Sequence, residues 1–120
     1  MATRSRYIVG FTVLSVLAAF LLPAMPQPVA YHDFADHREM LGVANFFDVA
    51  SNAAFVLAGL AGFAVVLRPR TEFASNSERW PYAVFFAGMV LTGLGSAYYH
   101  LVPDNERLFW DRLAMTIAFM

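Results

Sequence analysis

Long apolar stretches alternate with short polar connections along the chain. A bilayer core of about 30 Å requires roughly 20 mostly apolar residues in a helix. Three stretches reach or approach that length, and a fourth begins near the end of the sequence. The pattern therefore predicts membrane-spanning helices at 7–25, 45–67 and 81–102, and the start of another at 110–120.

These elements predict an all-α fold, a polytopic transmembrane bundle within a single membrane domain, 1–120. The stretch 110–120 is only about ten residues long, which reaches halfway across a bilayer. We therefore expect an N-terminal piece of a longer bundle. The first stretch has an alternative interpretation as a secretory signal peptide, because Arg4 and Arg6 precede the apolar run and Pro28-Val29-Ala30 follows it, although Pro28 is unfavourable three residues before a cleavage point. Its length favours a retained helix.

Arginine placement predicts the orientation. The arginines on the expected cytoplasmic side are Arg4, Arg6, Arg68, Arg70 and Arg79. Cytoplasmic connections are enriched in basic residues, so the connections 26–44 and 103–109 are expected on the other side. Apolar residues make up 59% of the chain, well above the ~45–50% of globular domains. The net charge of -1 indicates no binding of nucleic acid.

Polar residues inside the second helix form one candidate cluster. Asn45, Asp48 and Asn52 are three and four residues apart, which places them on one helix face, with Ser51 beside them. Such residues usually face a bundle interior and often have a function. They also act as polar contacts between helices, here followed by a packing seam at Gly59 and Gly62. Both interpretations stay open from the residues alone.

A second cluster joins the end of the third helix to the start of the fourth. Ser96 and His100 are one turn apart on one face, and the turn at 103–107 folds Asp111 back beside them. We expect His100 and Asp111 at the same membrane depth, with Ser96 one turn deeper. Gly88 and Gly95 along the same helix should allow the close approach of a neighbour.

Serine, histidine and aspartate in one place fit three roles. One is a nucleophilic triad. Another is a metal site in which His100 is a ligand and Asp111 acts on bound water. The third is a structural hydrogen bond between His100 and Asp111. A metal needs further ligands, and His32 and His37 lie in a connection whose composition predicts mobility.

These motifs resemble the alkaline ceramidase family, in its bacterial branch. The family belongs to a superfamily of seven-helix membrane hydrolases that also contains the adiponectin and progestin receptors. The resemblance rests on Ser96-x-x-x-His100 followed by Asp111, and on the runs 31–36, 45–52 and 95–105. It covers roughly residues 31 to 120, which leaves the first apolar stretch as an addition to the family pattern.

The resemblance implies a set of roles. His100 becomes a zinc ligand, Asp111 orients or deprotonates the water, and Ser96 stabilises the oxyanion; Tyr99 lies beside this trio. Two further zinc-binding histidines, spaced His-x-x-x-His, are expected beyond Met120, so this chain alone is expected to be inactive. A calcium site is implied by the residues of the comparable stretch: Asp33, Asp36 and Asn45.

The favoured hypothesis is an integral-membrane, zinc-dependent amidase that acts on ceramide or another N-acyl lipid, a reaction of sphingolipid metabolism. Its expected location is a bacterial inner membrane, with the site near the non-cytoplasmic side. One alternative is a receptor-like or scaffolding bundle with a structural metal. Another is an ion or proton transporter that uses Asp48, His100 and Asp111 as relay groups. The sequence leaves the substrate open.

Overall fold

The computed structural model is helical throughout its regular elements. It describes the ranges 2–21, 25–34, 36–69 and 71–119. The five α-helices, in chain order, are α1 (Ala2–Leu21), α2 (Phe46–Ser51), α3 (Ala53–Leu67), α4 (Arg79–Leu101) and α5 (Asn105–Phe119). Single 3-10 turns occur at Val29–His32 and Asn76–Glu78. The described ranges contain no β-strand, which agrees with the predicted all-α class.

Among the described residues, two helical segments are long and apolar enough to cross a membrane. One is Phe46–Leu67, in which α2 and α3 follow each other through Asn52 with helical backbone angles. The other is α4. A helix also forms over most of the first predicted span, although 22–24 lie outside the described residues, and its crossing of a membrane stays a prediction. Of the three full spans that the sequence predicts, two are therefore supported.

The first residues of two helices differ from the predicted ones, because polar residues or proline occupy the first turn. α4 starts at Arg79, before Pro81, because proline in a first turn loses no hydrogen bond. α5 starts at Asn105 rather than at residue 110. There the Asp104 carboxylate accepts a hydrogen bond from the Arg107 amide at 2.7 Å, as a helix N-cap does. An apolar pattern alone does not detect such starts.

The helices α3, α4 and α5 form a single layer with α4 in the middle. α4 packs against α3 on one side and α5 on the other, and α2 also contacts it. The Cα atoms span 53 × 43 × 16 Å, so the fold is one helix thick. Within the described ranges α1 packs against none of the other helices. Both broad faces of the layer therefore expose large apolar side chains, as membrane helices do towards lipid or further helices.

Glycines set the spacing between these helices. A Cβ on Gly59 would lie 2.9 Å from the Phe86 carbonyl oxygen of α4, and Gly62 lies against the Phe86 ring. A Cβ on Gly88 would lie 2.6 Å from the Cα of Ala118 in α5. The predicted seams on the second and third helices are confirmed. The predicted antiparallel pairing of the last two helices is confirmed as well, because α4 and α5 pack side by side across a short turn.

Candidate functional site

The predicted trio, Ser96, His100 and Asp111, lies near the short turn that joins α4 to α5. A Cβ on Gly95 would lie 2.8 Å from the carbonyl oxygen of Trp110, so the next residue, Asp111, is level with the turn of α4 that carries Ser96. Asp111 is buried, at 8% exposure, and Ser96 is half-buried. The depth prediction therefore needs a correction: the backbone of Asp111 is level with Ser96, about one turn below that of His100.

Helix direction brings the side chains back towards one another. In an α-helix each Cα–Cβ bond tilts towards the N-terminus of its own helix. Because α4 and α5 are antiparallel, His100 leans along the layer towards Ser96, while Asp111 leans towards His100. No side-chain hydrogen bond between His100 and Asp111 occurs within the described ranges. The interpretation of a purely structural histidine–aspartate pair therefore gains no support.

Several buried polar atoms near the trio have no hydrogen-bond partner among the described residues. They are His100 Nδ1, His32 Nε2, Asp48 Oδ2 and Thr92 Oγ1. Buried polar side-chain atoms nearly always have a partner, so each such atom requires an explanation. Binding to a metal or to a substrate is one such explanation. For His100, metal binding is also the role that the resemblance implies.

The polar cluster of the second helix divides into two parts. Asn45 adopts a left-handed backbone (φ 49°) and donates a side-chain hydrogen bond to the His100 carbonyl at 2.8 Å, which ties the start of α2 to the end of α4. Asn52 is buried and donates to the Asp48 carbonyl at 2.8 Å. Ser51 is exposed and also bonds the Asp48 carbonyl. Asn45 therefore reaches the site, whereas Ser51 has a local helical role.

The connecting segment, defined as residues 25–34 and 36–45, packs against the ends of α4 and α5. Besides the bond from Asn45 to His100, several contacts fasten it. Gln27 and Asn105 exchange hydrogen bonds at 2.7 and 3.2 Å, and Arg112 donates to the Tyr31 hydroxyl at 2.6 Å. Two more contacts, His32 with Tyr99 and Phe34 with His100, lie directly beside the trio.

Those two contacts were not predictable from the local sequence. His32 Nδ1 lies 2.7 Å from the Tyr99 hydroxyl, and the Phe34 ring packs 4.6 Å from the His100 ring, centroid to centroid. His32 is therefore an additional residue of the candidate site, and the composition-based prediction of a mobile connection does not describe it. His37 fits that prediction better, since it is exposed beside Asp33. Contacts across 67 residues leave no periodic signal in a sequence.

The residues proposed for calcium are held apart by other bonds. The carboxylate of Asp36 is buried and accepts from Arg38 Nε at 2.6 Å and from the Phe47 amide at 2.9 Å. The hydrogen bond from Arg38, with the Phe47 amide, holds the pKa of the Asp36 carboxyl below its ordinary value, while burial acts in the opposite direction. Asp33 is exposed, and the Asn45 amide is bonded to His100. The calcium site stays a prediction.

An apolar cavity of about 250 Å³ lies one helical turn below the trio, on the same side of the layer. Thr92 is one turn from Ser96, and Met115 is one turn from Asp111. The full lining consists of Phe55, Phe85, Met89, Thr92, Met115, Ala118 and Phe119. The site therefore joins polar, hydrogen-bonding groups above to a space below whose lining is apolar apart from Thr92.

The metal prediction can be compared with the residues that are present. His100 supplies one imidazole with a buried, unpartnered nitrogen, and Asp111 supplies a nearby buried carboxylate. No group of three His, Cys, Asp or Glu side chains comes together in the part of the chain that the structure describes. These residues account for one ligand of a zinc site and a nearby carboxylate, whereas a complete site normally has three or four protein ligands.

Comparison with known proteins adds no relative. No protein-family model, no curated protein and no solved structure matches this chain.

Proposed function

We propose that this chain is part of a zinc-dependent integral-membrane hydrolase that cleaves the amide bond of ceramide or a similar N-acyl lipid. The observation that carries the proposal is the buried, unpartnered Nδ1 of His100, which lies near the turn before the buried Asp111. An imidazole beside a buried carboxylate is a common arrangement in metal-dependent hydrolases.

Each residue of the trio has a distinct part in the proposal. His100 would hold zinc together with further ligands, since a zinc site normally has three or four protein ligands. Bound zinc supplies Lewis-acid polarisation of the amide carbonyl and activation of water. Asp111 would accept the proton of the attacking water and return it to the amide nitrogen as the C–N bond breaks and the amine leaves, and its burial keeps this proton transfer away from bulk solvent. The Ser96 hydroxyl donates a hydrogen bond to the oxygen on which negative charge develops.

The cavity supports a lipid as the substrate class. Its lining is apolar apart from Thr92, and it lies one turn from both Ser96 and Asp111. A fatty acyl chain gains about 0.8 kcal/mol for each buried CH₂ group. An acyl chain in the cavity would therefore hold the attached amide at the level of the trio, and the polar headgroup would extend towards the connecting segment.

The test is the replacement of His100 by alanine in the full-length protein. We expect His100→Ala to lose both bound zinc and the hydrolysis of a short-chain ceramide. His37→Ala is the matched control, because His37 is an exposed histidine of the connecting segment and should retain both. Hydrolysis by His100→Ala at the wild-type rate would refute the proposal. Zinc bound by the wild type without turnover of any acyl amide would favour a receptor-like bundle instead.

A further inference from the structure

His32 is held in one orientation at the edge of the candidate site. Its Nδ1 lies 2.7 Å from the Tyr99 hydroxyl, and Tyr99 is one of the most deeply buried residues, at 3% exposure. The His32 ring also meets Tyr31 edge-on at 5.6 Å, and Tyr31 is itself bonded by Arg112. Aromatic and polar contacts on two sides therefore fix the ring and the direction of its second nitrogen.

That second nitrogen has nothing to bind within the described residues. His32 Nε2 is buried and unpartnered. A neutral imidazole carries a donor on one nitrogen and an acceptor on the other, and the bond to Tyr99 allows either assignment. A hydroxyl group satisfies Nε2 in both cases, because it donates and accepts.

The surrounding charges favour a neutral partner over an anion. The ionised groups within electrostatic range of the Tyr99 hydroxyl are Asp104, Asp111 and Arg112. Asp104 is paired with Arg107 at 3.7 Å, and the carboxylate of Asp48 has a buried oxygen without a partner among the described residues. The described residues here therefore carry no excess of positive charge that would attract a phosphate or a carboxylate.

We propose that His32 is a substrate-binding residue whose Nε2 forms a hydrogen bond with a hydroxyl of the lipid headgroup. This assignment rests on the proposed function, since the acyl chain occupies the cavity and the amide lies at the trio. The headgroup then lies beneath the connecting segment, to which His32 belongs and where its Nε2 is buried without a partner among the described residues. His32 would thus distinguish hydroxylated N-acyl lipids from simpler ones.

The test compares two lipids and two substitutions in the full-length protein. The lipids are a short-chain ceramide and its analogue without the C1 hydroxyl. His32→Asn retains a polar atom near the Nδ1 position but loses Nε2, whereas His32→Gln places its amide near the Nε2 position and loses the bond to Tyr99. Equilibrium binding to each lipid in detergent is followed by tryptophan fluorescence, with bound zinc and helicity measured in parallel.

We expect the wild type to bind the hydroxylated lipid about 2- to 10-fold more tightly than the analogue, the range of one net hydrogen bond. His32→Asn should lose that preference, and His32→Gln should retain it. Tyr99→Phe, which leaves Nε2 in place, should also retain it. A preference that survives in His32→Asn, or its absence from the wild type, overturns the assignment.

The outcomes also separate this inference from the proposed function. Preference for the hydroxylated lipid that is lost in His32→Asn, without any hydrolysis by the wild type, would refute the amidase and support the role of His32. Hydrolysis by the wild type with an unchanged preference in His32→Asn would refute only the role of His32. Loss of zinc from His32→Asn would make His32 a metal ligand and overturn its assignment to the headgroup.

Discussion

The two ends of the helical layer are held together by different forces. Where α4 and α5 meet the connecting segment, polar groups bond across elements that are far apart in sequence, such as His32 with Tyr99 and Asn45 with His100. Towards the other end, small residues allow backbones to touch, as at Gly88 and Ala118. Hydrogen bonds between side chains and backbone groups hold the first end together, and close packing of small residues holds the second.

This difference has a consequence for function. Close packing between apolar helices is hard to rearrange, because every displacement opens a void or creates an overlap. Hydrogen bonds and charged pairs can instead be exchanged for bonds to a ligand. A reactive site therefore belongs at the polar end, while the seams keep α3, α4 and α5 in a fixed register beneath it. Substitutions at the two ends should consequently fail in different ways.

The largest expected effect comes from the seam between α4 and α5. In Gly88→Ala the new Cβ would lie 2.6 Å from Ala118 Cα and 2.7 Å from its amide nitrogen, so backbone rather than a flexible side chain must move. Overpacking of this kind costs about 1–3 kcal/mol. We expect a corresponding loss of stability, measured by unfolding in detergent with circular dichroism.

The matched control for this substitution is Gly10→Ala in α1. A Cβ on Gly10 meets nothing within 4 Å, so the intrinsic preference of alanine for helix should leave the protein unchanged or slightly more stable. Equal stability of Gly88→Ala and Gly10→Ala would show that the seam is not a tight contact.

A smaller effect, with a pH dependence, is expected at Asp36. The hydrogen bond from Arg38, with that from the Phe47 amide, holds the pKa of Asp36 below its ordinary value of 3.8. A lowered pKa means that the folded state favours the ionised carboxylate, so its contribution is present above 3.8 and is lost as the pH falls through the lower, folded-state pKa. Asp36→Asn should lower the melting temperature at neutral pH.

The pH series supplies the decisive measurement for Asp36. The difference in melting temperature between wild type and Asp36→Asn should shrink as the pH falls below 3.8. Asp33→Asn is the control, because the Asp33 side chain is 74% exposed and its pairing with His37 is loose. A constant difference across the pH range would mean that charge has no part in the role of Asp36.

The seams and helices could be predicted from the sequence, whereas the polar end largely could not. Apolar runs and glycine spacing are local, periodic signals, so Gly59, Gly88 and the turn after α4 were identified correctly. His32 gives no such signal, because its partner Tyr99 is brought to it only by the fold. The first residues of α4 and α5, Arg79 and Asn105, were not predicted for another reason. Capping residues and charged residues in a first turn interrupt the apolar pattern, although the helix itself continues through them.

The smallest expected effect concerns the beginning of the connecting segment. Asn105 accepts a hydrogen bond from the Gln27 amide at 2.7 Å and donates one to the Gln27 carbonyl at 3.2 Å, in an exposed location. Asn105→Ala should release this attachment at about 0.5–1.5 kcal/mol, and hydrogen exchange of the Gln27 amide should accelerate about 2- to 10-fold. Glu106→Gln, a change at the exposed neighbour, should leave that exchange rate unaltered. Because Tyr31, His32 and Phe34 make their own contacts with α4 and α5, exchange at those positions should change little in Asn105→Ala. Acceleration of the whole connecting segment would show instead that it detaches as one unit, and that the polar end is held by a single cooperative set of bonds.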